Sequence, residues 1–186
     1  MKSKINEKMK PKLYTAETGS KIEFKPMRLE EVLLIHAYAS DEDVSRYIGW
    51  KLMHTLDETT AYVKEMMRRE DADTHLYASI YEKDSGVLIG TGMLFNFDEE
   101  ARQAEIGYVF HKGYWGKGYA SEAIKAMTTF AGEQLGLHKV HASVVAANTG
   151  SARVLEKNGY VLEGRLRDHF FIDGAYDDAL LFGKIF

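Results

Sequence analysis

The stretch Gly113-Tyr114-Trp115-Gly116-Lys117-Gly118-Tyr119-Ala120 constrains the fold of this chain more than any other. It follows a strand-like run, Ala104-Glu105-Ile106-Gly107-Tyr108-Val109-Phe110, and precedes an amphipathic helical pattern from Tyr119 to Gln134. Strand, glycine-rich turn and helix start together present bare backbone N–H groups to an anion. Gly116 and Gly118 keep side chains out of such a site and permit positive φ. The loop therefore reads as a phosphate cradle, against the plainer reading of a turn that merely uses glycine.

Two common phosphate loops do not fit. A nucleoside triphosphate loop needs Ser or Thr after Gly-Lys to hold magnesium, and Gly118 stands there. A dinucleotide loop needs a third glycine near the start of a βαβ unit. Ser121 occupies that position, and the loop lies past mid-chain.

At 186 residues the chain has the length of one domain. Met1 to Lys12 carries five lysines with no apolar run behind them, which reads as a mobile basic tail before a single domain over 13–186. No apolar stretch is long enough to span a bilayer. With no cysteine, disulfides, thiolate-held zinc and a cysteine nucleophile are excluded, which fits a cytoplasmic protein. A net charge of −4 speaks against a nucleic-acid partner and leaves room for a cationic substrate. The seven histidines show no metal-ligand spacing, so no metal is expected.

Periodicity gives the rest of the order. Lys21–Lys25 alternates as a strand. Leu29–Tyr38 reads as a helix with Val32, Leu33, Ile35 and His36 near its apolar face, and Asp41–Tyr47 as a second. Thr55-Leu56-Asp57-Glu58 has the form of a capping box opening a third helix. Strands follow at Leu76–Tyr81, Gly86–Phe97 and Ala104–Phe110, with Asp98-Glu99-Glu100 as a solvated turn. After the long helix come a strand at His138–Val145 and a short helix at Ser151–Lys157 closed by Asn158-Gly159. Two final strands, Tyr160–Arg167 and Ala179–Phe186, turn at Ile172-Asp173-Gly174. This is a mixed α/β (α+β) fold with a largely antiparallel central sheet flanked by helices.

The order and the motifs together resemble the GNAT N-acetyltransferases. Gly113-Tyr114-Trp115-Gly116-Lys117-Gly118 is similar to that family's acetyl-coenzyme A loop, with Gly113 at a position usually held by Gln or Arg. Glu105-Ile106-Gly107-Tyr108 resembles its pantetheine strand, and Asn148–Tyr160 its second cofactor segment. With Val161–Asp168, Asp173-Gly174 and Asp177-Asp178, the likeness extends over residues 20 to 186. It points to the branch of ribosomal-protein N-terminal alanine and serine acetyltransferases.

The resemblance implies acetyl-coenzyme A as co-substrate and no metal. Strands that splay would leave backbone groups of Tyr108, Val109 and Phe110 for pantetheine, with Gly107 marking a bulge. Trp115, Gly116, Lys117, Gly118, Tyr119 and Ala120 would hold the pyrophosphate, Trp115 anchoring the loop by packing. Glu105 is the first candidate for proton acceptor through a water, with His141 and His169 as alternatives. Asn148 either caps the short helix or holds cofactor or substrate, and Ser151 donates toward the sulfur. The family's usual tyrosine position is Leu155 here, which puts that acid role in doubt. Trp50, Glu105, Asp168 and His169 are the expected acceptor contacts. The implied acceptor is a protein N-terminal α-amine; a small amine or antibiotic, or a non-catalytic acetyl-coenzyme A sensor, are the alternatives, in a monomer or homodimer.

Overall fold

The computed structural model describes residues 10–48, 51–172 and 174–186. The first strand, β1 (Ile22–Lys25), turns Ile22 and Phe24 inward. A 3-10 turn at Leu29–Glu31 leads into α1 (Val32–Ala39), followed by α2 (Glu42–Ser45) and α3 (Leu56–Asp71). The expected helix from Leu29 thus begins one turn late, where the Glu31 carboxylate accepts the Arg28 N–H at 3.0 Å. Leu33 leaves the apolar face and is 68% exposed, because the buried stripe is set by Ile35, Tyr38 and Ala39 at helical spacing. The capping box is as expected: Thr55 Oγ1 accepts the Glu58 N–H at 3.2 Å, and the Glu58 carboxylate accepts the Thr55 N–H at 3.1 Å.

The remaining elements are β2 (Leu76–Glu82), β3 (Leu88–Asp98), β4 (Gln103–Phe110), α4 (Tyr119–Glu133), β5 (Lys139–Val145), α5 (Thr149–Lys157), β6 (Val161–Ile172) and β7 (Ala175–Ile185). They form a seven-stranded sheet in the order β1-β2-β3-β4-β5-β7-β6. Every pairing is antiparallel except β4 with β5. The last two strands run longer toward their shared turn than expected. Their extra residues, 168–172 and 175–178, place Phe170, Phe171 and Ile172 in succession and Asp177 beside Asp178, so neither stretch shows the period-two alternation by which a strand is read. Gly174 turns the hairpin at φ 80°, while Asp173 lies outside the described residues.

The sheet is covered on both faces, but unequally. On one face Ile124, Met127 and Phe130 of α4 pack with Leu76, Ile106, Val140 and Phe182. On the other, Ile35, Tyr38, Val63 and Met66 meet Tyr77, Leu88 and Val109, which come from β2, β3 and β4 only. That side of the sheet beyond β4 has no helical cover from this cluster, and Val161 on β6 is 67% exposed. Before Leu13, the Lys12 ammonium donates to Asp73 Oδ1 at 2.8 Å and to the Glu70 carbonyl at 3.0 Å.

Beside that contact, Glu70 is buried and its Oε1 has no hydrogen-bond partner among the described residues. Burial pushes its carboxyl up to about 7, against the partial opposing effect of Lys12. An acid whose folded value is raised loses stability as pH climbs from its unfolded value toward the folded one. Glu70→Gln is therefore expected to raise Tm at pH 8 and leave it unchanged at pH 4, as read by thermal melts at both.

Candidate active site

β4 and β5 pair only at Gln103 with Lys139, Ala104 with Val140 and Glu105 with His141. Beyond that point both strands continue, to Phe110 and to Val145, without pairing to each other. The sheet is split there, and Glu105 and His141 stand at the base of the fork. The His111 N–H bonds back to Ile89 in β3. By strand alternation the backbone groups of Val109 face β3 as well, while those of Ile106, Tyr108 and Phe110 face the fork. The expected pantetheine contacts at Tyr108 and Phe110 are thus available, and that at Val109 is not. The Phe110 carbonyl already accepts the Trp115 indole N–H at 2.8 Å.

That bond corrects the role expected for Trp115. Its ring is half-exposed, and the loop is anchored through the indole N–H rather than by packing. Gly116 and Gly118 take φ of 73° and 87°, and Gly118 is the left-handed N-cap of α4. A Cβ at Gly116 would meet nothing within 4 Å, so the loop leaves open space. The backbone N–H groups of Gly116, Lys117, Gly118, Tyr119, Ala120 and Ser121 have no acceptor among the described residues. Lys117 lies over the Tyr114 ring at 5.3 Å, and Lys21 donates to the Lys117 carbonyl at 2.9 Å. Two ammonium groups therefore flank a cluster of bare amides at a helix N-terminus, a donor set that fits a pyrophosphate. Lys21 escaped the sequence reading because it lies at the start of a distant strand.

Gly107 is not a bulge. It pairs in register with Met93, and a Cβ there would come within 2.7 Å of the Met93 Cε, the mobile end of that side chain. The irregularity sits in β3, between Phe95 and Asp98, where Asn96 takes φ 51°. This kink aims the Asn96 amide at Glu105, with Nδ2 donating to Oε2 at 2.9 Å. The Asn96 role had no sequence signal, since it depends on a bulge.

On the other arm of the fork, Asn148 caps α5. Its Oδ1 accepts the Ser151 N–H at 3.0 Å. Ser151 Oγ lies 2.8 Å from the Tyr108 hydroxyl. Leu155 is fully buried, so no polar group reaches the fork from that position.

Asp168 and His169 are not brought to Glu105. The residue in line with Glu105, His141 and Gly183 is Val161, and the two lie farther along β6 on the projecting hairpin. Asp168 takes φ 50°, with its N–H bonded to Asp178 Oδ1 at 2.9 Å. His169 stacks edge-on against Phe170. Trp50 lies outside the described residues. Among the described residues no cluster of His, Cys, Asp or Glu could hold a metal ion, and no helix is long and apolar enough to cross a membrane.

The family model for the acetyltransferase (GNAT) domain matches residues 21–161. The uncharacterized N-acetyltransferase p20 of Bacillus licheniformis is 28% identical over 173 residues, covering 93% of this chain and 95% of its own. The putative ribosomal N-acetyltransferase YdaF of Bacillus subtilis (strain 168) is 35% identical over 100 residues, 54% of this chain and 55% of its own. The crystal structure of spermidine N-acetyltransferase from Vibrio cholerae, in complex with CoA and spermine, superposes with a TM-score of 0.80. It is 22% identical, with coverage of 90% of this chain and 96% of that one. Split sheet, bare-amide loop and family match agree: the chain belongs to the GNAT acetyltransferases and is an acetyl-coenzyme A-dependent N-acetyltransferase.

Proposed function

We propose that this enzyme acetylates the N-terminal α-amine of a protein, with a peptide segment lying over the uncovered half of the sheet. The observation that carries this reading is the fork itself, open on the side where, among the described residues, the cluster of α1 and α3 stops at β4 and does not reach β5, β7 and β6. A peptide can lie along that surface, whereas a small amine would leave most of it bare. The likeness to YdaF, named as a putative ribosomal N-acetyltransferase, supports the same acceptor class.

Acetyl-coenzyme A supplies, when bound, an acetyl group activated as a thioester. The amides of residues 116–121, with Lys21 and Lys117, hold its phosphates. Backbone groups of Tyr108 and Phe110 align its pantetheine arm as an added strand. Glu105, steadied by Asn96, accepts a proton from the incoming ammonium through water. An α-amine, with a pKa of about 8, asks less of such a base than a lysine amine of about 10.4. Positioning therefore contributes a large share of the rate. Ser151 presents a hydroxyl to the sulfur as it leaves, and the proton given up by the amine balances the one gained by the thiol.

A small polyamine is the second reading, favoured by the likeness to the Vibrio cholerae spermidine enzyme. Thiol release decides between them. Peptides beginning with Ala or Ser are expected to turn over with at least tenfold higher kcat/KM than spermidine, free lysine or an aminoglycoside. Turnover confined to the small amines overturns the peptide reading.

A further inference from the structure

We propose that Tyr108 is a positioning residue for the leaving sulfur: its phenol donates to Ser151 Oγ and so turns the Ser151 hydroxyl proton into the fork. This rests on the acetyltransferase reading of the fork. The phenol arises on β4, past the point where β4 and β5 separate, and bridges to the first turn of α5. It joins the two arms through a pair of hydroxyl groups. The Ser151 N–H is already committed to Asn148 Oδ1 at 3.0 Å, which fixes the backbone but leaves the hydroxyl free to rotate. A hydroxyl holds one proton and accepts from others. The two hydroxyl oxygens lie 2.8 Å apart, with the Ser151 carbonyl farther from the phenol at 3.5 Å; in the proposed sense, Tyr108 donating to Oγ, the Ser151 proton points away from the phenol.

Two other positions do not supply this phenol. Leu155, which stands where the family resemblance expects a tyrosine, is fully buried. Tyr160 is buried with its hydroxyl 2.8 Å from Thr128 Oγ1. Burial pushes the Tyr108 phenol up to about 12, so it stays protonated and a donor across the working range of pH. A donor in series polarises the next hydroxyl, which strengthens its bond to a developing thiolate. In the step itself the acceptor nitrogen bonds to the acetyl carbon and the carbon–sulfur bond breaks. The sulfur leaves with the electron pair, hydrogen-bonded by Ser151, and takes up the proton that the amine releases.

Tyr108→Phe keeps the ring and removes only the hydroxyl. Its kcat is expected to fall about tenfold with the KM for acetyl-CoA within twofold, a split that loss of packing would not produce. In a double-mutant cycle, Tyr108→Phe adds no further loss to Ser151→Ala. A readout independent of turnover is binding of CoA against desulfo-CoA by calorimetry at pH 9. Wild type is expected to prefer CoA, and both Tyr108→Phe and Ser151→Ala to lose that preference equally. Losses that multiply in the cycle, or a preference unchanged by Tyr108→Phe, overturn the proposal. If wild type binds CoA but transfers no acetyl group to any amine, the acetyltransferase reading fails, and the CoA comparison still decides the role of Tyr108.

Discussion

Gly118→Val is expected to raise the KM for acetyl-CoA about a hundredfold while changing kcat far less. Gly118 sits at φ 87°, where a β-branched residue is strained by about 1–2 kcal/mol. The strain would relax by moving the helix start, and the bare amides of residues 116–121 would no longer converge. The added side chain also meets the Lys21 ammonium, which lies 3.3 Å from the Cβ position. Loss of phosphate contacts that are equal in ground and transition states raises KM without lowering kcat. Calorimetric titration with CoA gives the same answer without turnover. An unchanged affinity would place the pyrophosphate elsewhere.

Glu105→Gln is expected to lower kcat/KM about a hundredfold at pH 7, and by clearly less at pH 9. General-base assistance contributes roughly 10²–10⁴. Gln keeps the shape and can still bond Asn96, so the change isolates the proton-accepting function. At pH 9 an α-amine with a pKa of about 8 is already mostly neutral, and the base has little left to do. The direction of that pH dependence separates a base from a residue that only binds the acceptor, whose loss would persist at both values. A deficit equal at pH 7 and pH 9 would move the role to His141, which stands opposite Glu105 in the parallel pair.

The loop from Gly113 to Ala120 was legible because its signal is local. A strand, glycines and a helix start follow one another, and the positive φ at Gly116 and Gly118 is signalled by residue type at those positions. The capping box at Thr55 and the Asn158-Gly159 terminus were legible for the same reason, and Gly159 takes φ 79°. The Asn148 cap also uses contacts a few residues apart. The fork was expected only through resemblance, because strand divergence leaves no mark on periodicity. Asn96, Lys21 and the hydroxyl of Tyr108 act through contacts set by a bulge or by distant elements, so residue type at one position could not reveal them. Asp168 and His169 were chosen for chemistry that suits a cationic acceptor, and the register sets them farther along β6 than Val161, the residue in line with Glu105.

The Glu122 carboxylate, on the first turn of α4, accepts the backbone N–H of Lys21 at 3.0 Å and of Ile22 at 3.1 Å. Tyr119, at the helix start, also bonds the Glu82 carboxylate at the end of β2. The edge of the sheet and the phosphate loop are therefore one mechanical unit, with the chain's first strand serving as its strut. A substitution that loosens the outermost strand is therefore expected to weaken cofactor affinity before it alters the chemistry.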